Sequence, residues 1–114
     1  MDLERLKEFL QNYINTVVEP KIREKRESEG FEPVEFQVNQ ILKGSYQPPI
    51  IHVFMDTEPI IKKTFGLKPH ASMLLSSVEK DIINFFRIFS INLNVKVHWN
   101  KRPIFNNETL SADY

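Results

Sequence analysis

The sequence predicts a single α+β domain spanning residues 1–114, with helices packed on one face of a three-stranded sheet. Three observations carry that prediction. Residues 71–91, ASMLLSSVEKDIINFFRIFSI, place apolar side chains at i, i+3, i+4 and i+7, one stripe of a helix. Residues 34–39 and 93–99 alternate apolar with polar, the period of a half-buried strand. Residues 50–55, IIHVFM, are almost continuously apolar, as in a central strand covered on both faces. The expected order is α-β-β-α-α-β.

The first helix has Asp2 as its cap and Glu4 in its positive first turn. Leu3, Leu6, Phe9, Leu10, Tyr13, Ile14, Val17 and Val18 then follow helical spacing. Pro20 lacks a donor and would meet the carbonyl of Thr16, so the helix is expected to end, kink or restart there. Residues 21–29, KIREKRESE, carry Ile22 as their one apolar residue. They read as a solvated helical extension or as an arm that contacts a partner or phosphates. Residues 1–29 thus form an N-terminal helix with a charged extension, and Gly30 is its stop.

In the first strand Val34, Phe36 and Val38 alternate with Glu35, Gln37 and Asn39. Ile41 and Leu42 break the phase, which places a bulge near Gln40. A turn over residues 43–49 leads into the second strand, and the two most simply form an antiparallel hairpin. Tyr46 sits in that turn, either as a contact residue or folded back on its own strands. Asp56-Thr57-Glu58-Pro59 has the composition of a helix start. A short helix through Ile60, Ile61 and Phe65 is expected to follow, ending at Gly66.

The stripe of the long helix is Ala71, Leu74, Leu75, Val78, Ile82, Phe85, Phe86 and Phe89. Pro69 supports an early start. Ser76 and Glu79 have capping-box spacing and support a later one. The continuity of the stripe through Leu74 and Leu75 favours the early start. Met73 and Ile83 project about 140° from Val78 on opposite sides, at about 100° per residue. Each is either a singly exposed side chain or part of a second protein surface. In the last strand Leu93, Val95, Val97 and Trp99 face the core, while Lys96 and His98 lie on the opposite, polar face. Residues 100–103 form a turn, Ile104 and Phe105 add a brief edge contact, and the rest of the tail at 100–114 is polar.

Charged residues are 26% of the chain, the formal net charge is zero and the pI is near 6.8. That balance does not supply the positive field of a sequence-blind DNA coat. The absence of cysteine excludes disulfides, thiolate metal sites and cysteine nucleophiles. The charged N-terminus has no signal-peptide core, so the chain is expected in the cytoplasm or in a virus particle assembled there. Three scattered glycines cannot form a phosphate-binding loop, and no GxSxG elbow occurs. His52, His70 and His98 are far apart in sequence and none has an i, i+4 partner that suggests a metal site, so none is expected. His52, inside a strand, reads as a hydrogen-bonded core residue, and His98 as a surface residue or a ligand contact. Capping and helix position account for the carboxylates at 56, 58, 79 and 81. The expectation is a non-enzymatic chain with no cofactor.

The order of elements over residues 3–99 resembles a type II KH domain, including relatives such as ribosome-binding factor A. In KH domains a GxxG loop between two helices clamps the nucleic-acid backbone. The matching place here reads Gly66-Leu67-Lys68-Pro69, with proline where the second glycine belongs. The Ala-x-Gly kink of ribosome-binding factor A is also missing. That resemblance implies RNA or ribosome binding through a patch of Lys62, Lys63, Lys68 and Lys96. The same layout also resembles small phage neck and tail-completion proteins, which are non-enzymatic and work as rings. This second resemblance implies a structural or assembly subunit in a homo- or hetero-oligomer, as a virion component. Its expected contact residues are Met73, Ile83, Tyr46, Phe105, Leu110 and Tyr114. It is the main expectation, and the lysine patch is the alternative.

Overall fold

The computed structural model describes residues 2–30, 34–45, 48–58, 69–89, 93–103, 105–106 and 109–110. Helix α1 (Leu3–Tyr13) runs through a π-helical turn (Ile14–Val18) into helix α2 (Glu19–Ser28). Strands β1 (Glu35–Lys43) and β2 (Ile50–Glu58) precede helix α3 (Pro69–Arg87) and strand β3 (Asn94–Trp99). Two short strands, β4 (Phe105–Asn106) and β5 (Thr109–Leu110), pair with each other. Two helical segments therefore precede the strands. The short helix expected at residues 60–65 lies outside the described residues. The pairing of β4 with β5 replaces the expected edge contact of Phe105 with the main sheet.

Helix α1 starts where Asp2 Oδ1 accepts from the amides of Glu4 and Arg5 at 3.1 and 3.2 Å. Its buried line continues through the π-turn into α2 as Leu6, Leu10, Ile14, Val18 and Ile22, a strict four-residue repeat. In a regular α-helix four residues advance about 400°, so such a line drifts about 40° at each step. The π-turn takes more residues per turn and rewinds that drift. Its wider hydrogen bond runs from the Glu19 amide to the Ile14 carbonyl. Thr16 Oγ1 adds a side-chain bond to the Asn12 carbonyl at 2.8 Å. Pro20 then falls in the first turn of α2, where a missing donor costs little. The expected break at Pro20 is thus a change of helical register without a break in the chain direction.

The sheet order is β1-β2-β3, with β1 antiparallel and β3 parallel to β2. A bulge between Val38 and Gln40 shifts the β1 register, as the break in alternation requires. Phe36, Val38, Ile41, Ile51, Val53, Met55 and Trp99 share one face and join the helices in a single core cluster. Leu75, Val78, Ile82, Phe85 and Phe86 of α3 complete it. Burying each such side chain contributes about 1.5–3 kcal/mol before chain entropy is subtracted. The clip at the end of the parallel pair is Asn100, in the left-handed region at φ 55°. Its amide N–H donates to the Met55 carbonyl at 2.7 Å, and its side chain exchanges two 3.0 Å bonds with buried Thr57.

Strand β1 is an edge, and α1 with its π-turn lies along it. Gln11 Nε2 donates to the Phe36 carbonyl at 3.1 Å, and Gln11 Oε1 accepts from the Val38 amide at 2.6 Å. Glu19 Oε1 accepts from the Phe36 amide at 3.1 Å. The Gln11 amide therefore behaves as one peptide unit of a missing neighbouring strand, and Glu19 extends it. Open strand edges template pairing with other chains, and these helix side chains close this one at Phe36 and Val38.

Replacing Gln11 by Ala is expected to lower the unfolding free energy by about 1–3 kcal/mol, because two part-buried backbone groups lose their partners. Gln11→Glu keeps the acceptor for Val38 but not the donor to Phe36, and is expected to fall between. Urea unfolding reads both. A midpoint unchanged in Gln11→Ala would mean that water replaces the clamp at no cost.

Candidate assembly surface

Four places in the structure concentrate side chains that a core does not need. The first is an apolar groove of about 200 Å³ where the start of α1 meets the end of α3. Leu6, Phe9, Phe86, Phe89 and Leu93 line it, with Asp2 and Arg5 at its rim. Phe9 is 50% exposed and Phe89 54%, with Ile88 beside it at 74%. The sequence placed Phe9 and Phe89 in the buried stripes. The displacement of Phe89 has a local cause. The amides of Ile88 and Phe89 bond to the carbonyls three residues back, at Phe85 and Phe86. This tighter terminal turn swings Phe89 off the helical stripe. Phe89 still touches Phe85 edge-on at 5.3 Å, and the Arg5 guanidinium lies 5.8 Å from the Phe9 ring centre.

The second is a polar cleft of about 500 Å³ lined by Gln11, Asn15, Glu19, Arg23, Glu35, Gln37 and Asp56, with Phe36. Its central groups are committed to structure. Gln11 and Glu19 hold the β1 edge. Asp56 accepts from both Arg102 Nη atoms, at 2.9 and 3.2 Å, and this pairing holds the guanidinium pKa above its ordinary value.

The third is the sheet face turned away from the helices. His52 and His98 are both 4% exposed and Phe54 is fully buried. His52 Nδ1 and His98 Nε2 are 2.9 Å apart, so one ring donates and the other accepts. The His98 ring stacks on Phe54 at 4.5 Å and 13°. Gly44 permits this approach, since a Cβ there would lie 3.2 Å from His52 Nε2 and from the Ile50 carbonyl. Burial, and then the charge of Lys96, hold the His52 pKa below its ordinary value of 6.5. His98 is thus a buried member of a pair, where its alternation with Val97 suggested a surface residue. The expectation that His52 is a hydrogen-bonded sheet residue holds.

The fourth is the flank of α3 over β3. Trp99 Nε1 donates to Glu79 Oε1 at 2.6 Å, which fixes Glu79 on the β3 side of the helix. The opposite flank faces the N-terminal helices, through Asp81 to Lys21 at 2.9 Å and Phe85 to Tyr13 at 5.3 Å. Ile83, one turn beyond Glu79, is half-buried on the β3 flank.

Of the side chains expected at contacts, Met73 is 70% exposed. Met73 and Ile83 occupy separate faces of α3 and are not brought together. Tyr46 and Tyr114 lie outside the described residues. Phe105 and Leu110 are paired Cα partners in the β4–β5 ladder. Of the lysine patch, Lys96 is exposed on β3, while Lys62, Lys63 and Lys68 lie outside the described residues. No group of three or more metal-ligating side chains occurs among the described residues. No described helix is long and apolar enough to cross a membrane. Comparison with known protein families, with curated proteins and with solved structures finds no match to this chain.

The lowered pKa of His52 fixes the sign of a pH dependence. The unfolded chain binds a proton at about pH 6.5 that the folded chain resists. Stability from this site is therefore complete above about pH 6.5 and declines as pH falls from there toward the folded-state value. His52→Gln offers an amide to His98 but does not titrate. Its thermal midpoint is expected to fall less than that of the wild type between pH 7 and 5. Parallel declines in the two proteins would remove His52 as the source.

Proposed function

We propose that this chain is a non-enzymatic assembly subunit that works through protein–protein contacts, of the small-domain kind that builds phage neck and tail-completion rings. The observation that carries this reading is the apolar groove at Phe9 and Phe89. Two phenylalanine rings half open to water share this groove, an exposed apolar surface of the kind that marks a contact site on a small domain. Removing such rings from water is the largest single contribution an interface of this size can draw on. The polar side chains of the larger cleft support the same reading, because Gln11, Glu19 and Asp56 already have partners within the fold. The neutral net charge permits close approach of like subunits.

Light scattering behind a sizing column, over a wide range of protein concentration, tests the proposal. The wild type is expected to rise above the monomer mass of 13.5 kDa as concentration increases. Phe9→Asp combined with Phe89→Asp is expected to keep the fold and to weaken association at least tenfold. A monomeric mass at every concentration would overturn the proposal.

A further inference from the structure

We infer that the open edge of β3 is a pairing surface for a second copy of this chain, joining two three-stranded sheets into one of six strands about a two-fold axis through Val97 and Ile83. This rests on the assembly reading above and adds to the Phe9 and Phe89 groove a second contact surface, with a second copy as its partner.

The two edges of the sheet differ. Gln11 and Glu19 occupy the outward backbone groups of β1 at Phe36 and Val38. No strand pairs with the outer side of β3 among the described residues. The Asn100 amide bonds inward to Met55, so by alternation Val95, Val97 and Trp99 turn their backbone N–H and C=O groups outward. Val95 and Val97 are half-buried, and half-buried Ile83 lies on the flank of α3 above them. An unpaired strand beside a partly exposed apolar row is a ready template for another strand.

Self-complementarity identifies the occupant as a second copy. Glu79, Ile83 and Arg87 repeat at four-residue spacing and form one row along α3. A two-fold axis at Ile83 sets Glu79 of each copy against Arg87 of the other, giving two opposite-charge pairs around an apolar centre. On the strand, an axis at Val97 sets Val95 against Trp99 and Lys96 against His98, whose ring is engaged with His52. The two centres coincide. Glu79 is bonded to Trp99, and Phe86 and Phe89 share the groove with Leu93, so α3 runs opposite to β3. From Glu79 to Ile83 is about 6 Å of helix, and from Trp99 to Val97 about 6.6 Å of strand. One axis therefore serves both elements. Because two-fold pairing uses the β3 edge of both copies at once, it closes at a dimer and does not continue through that edge into a fibre.

The chain contains no cysteine, which permits a direct test. A cysteine placed on a two-fold axis meets only its own copy. Ile83→Cys is expected to form a covalent dimer rapidly under mild oxidation. Met73→Cys, exposed on another face of α3, is expected to remain largely monomeric. Without cross-linking, Val97→Pro, which removes an outward amide, and Arg87→Glu, which sets two acids together, are each expected to weaken dimerisation about tenfold or more by light scattering. Circular dichroism and the thermal midpoint confirm that each variant folds. Association of the wild type without selective cross-linking at residue 83 would overturn this edge and leave the assembly reading standing. A wild type that never exceeds monomer mass would overturn both.

Discussion

The alignment of the N-terminal helices with β1 is the constraint on which the rest of the structure depends. A four-residue apolar repeat cannot stay on one side of a regular α-helix for four repeats. The π-turn at Ile14–Val18 keeps Leu6 through Ile22 in a single line. Because that line stays straight, Gln11 and Glu19 arrive at successive backbone groups of the same strand. One local change in helical pitch therefore couples core packing to the closing of a sheet edge. Without it, the line of burial would turn away from the sheet within about two turns.

The sheet itself has two unlike faces. The helix side is built from aliphatic and aromatic side chains in one cluster, and its cost of formation is offset mainly by burial. The far side holds a histidine pair, a stacked phenylalanine and the Asp56–Arg102 pair. The two histidines are removed from water and must find partners, so their contact restricts the geometry more than apolar packing does. The close approach at Gly44 shows the tolerance involved. The methyl group of an alanine there would already crowd His52.

Much of this fold was legible in the sequence, for reasons that can be named. Strands β1 and β3 each have one helix-covered face, so their side chains alternate. Strand β2 is central, with both faces buried, and so reads as a continuous apolar run. The bulge after Val38 was marked by the phase break at Ile41, and the helix caps by Asp2 and Gly30. Other features left no such mark. Periodicity gives an angle around a helix but not where the helix stops, so Phe89 was assigned to a stripe it leaves. The pitch change that accommodates Pro20 depends on which side of the helix is buried, and that is a tertiary fact. His98 alternates onto a face with lysine and asparagine, and nothing local signals that Phe54 and His52 take it out of water. Gln11 is indistinguishable in sequence from a solvated glutamine. The Glu79–Ile83–Arg87 row was half visible, because Ile83 stood out from the stripe, but its orientation over β3 came only with the Trp99 bond.

The π-turn also bears on how this chain can change length. Such a turn holds one residue more than the regular helix it interrupts. Dropping one residue between Ile14 and Val18 would change the buried spacing from four-four-four-four to four-four-three-four, which an ordinary α-helix carries straight. The apolar line would survive, but Pro20 would then face a regular i−4 carbonyl in mid-helix. Dropping one residue elsewhere, between Leu6 and Leu10 for example, would rotate everything before it by about 100° and leave Pro20 untouched. Loss of the extra residue and replacement of the proline are therefore coupled events, and relatives of this chain shortened by that residue should lack both the π-turn and the proline.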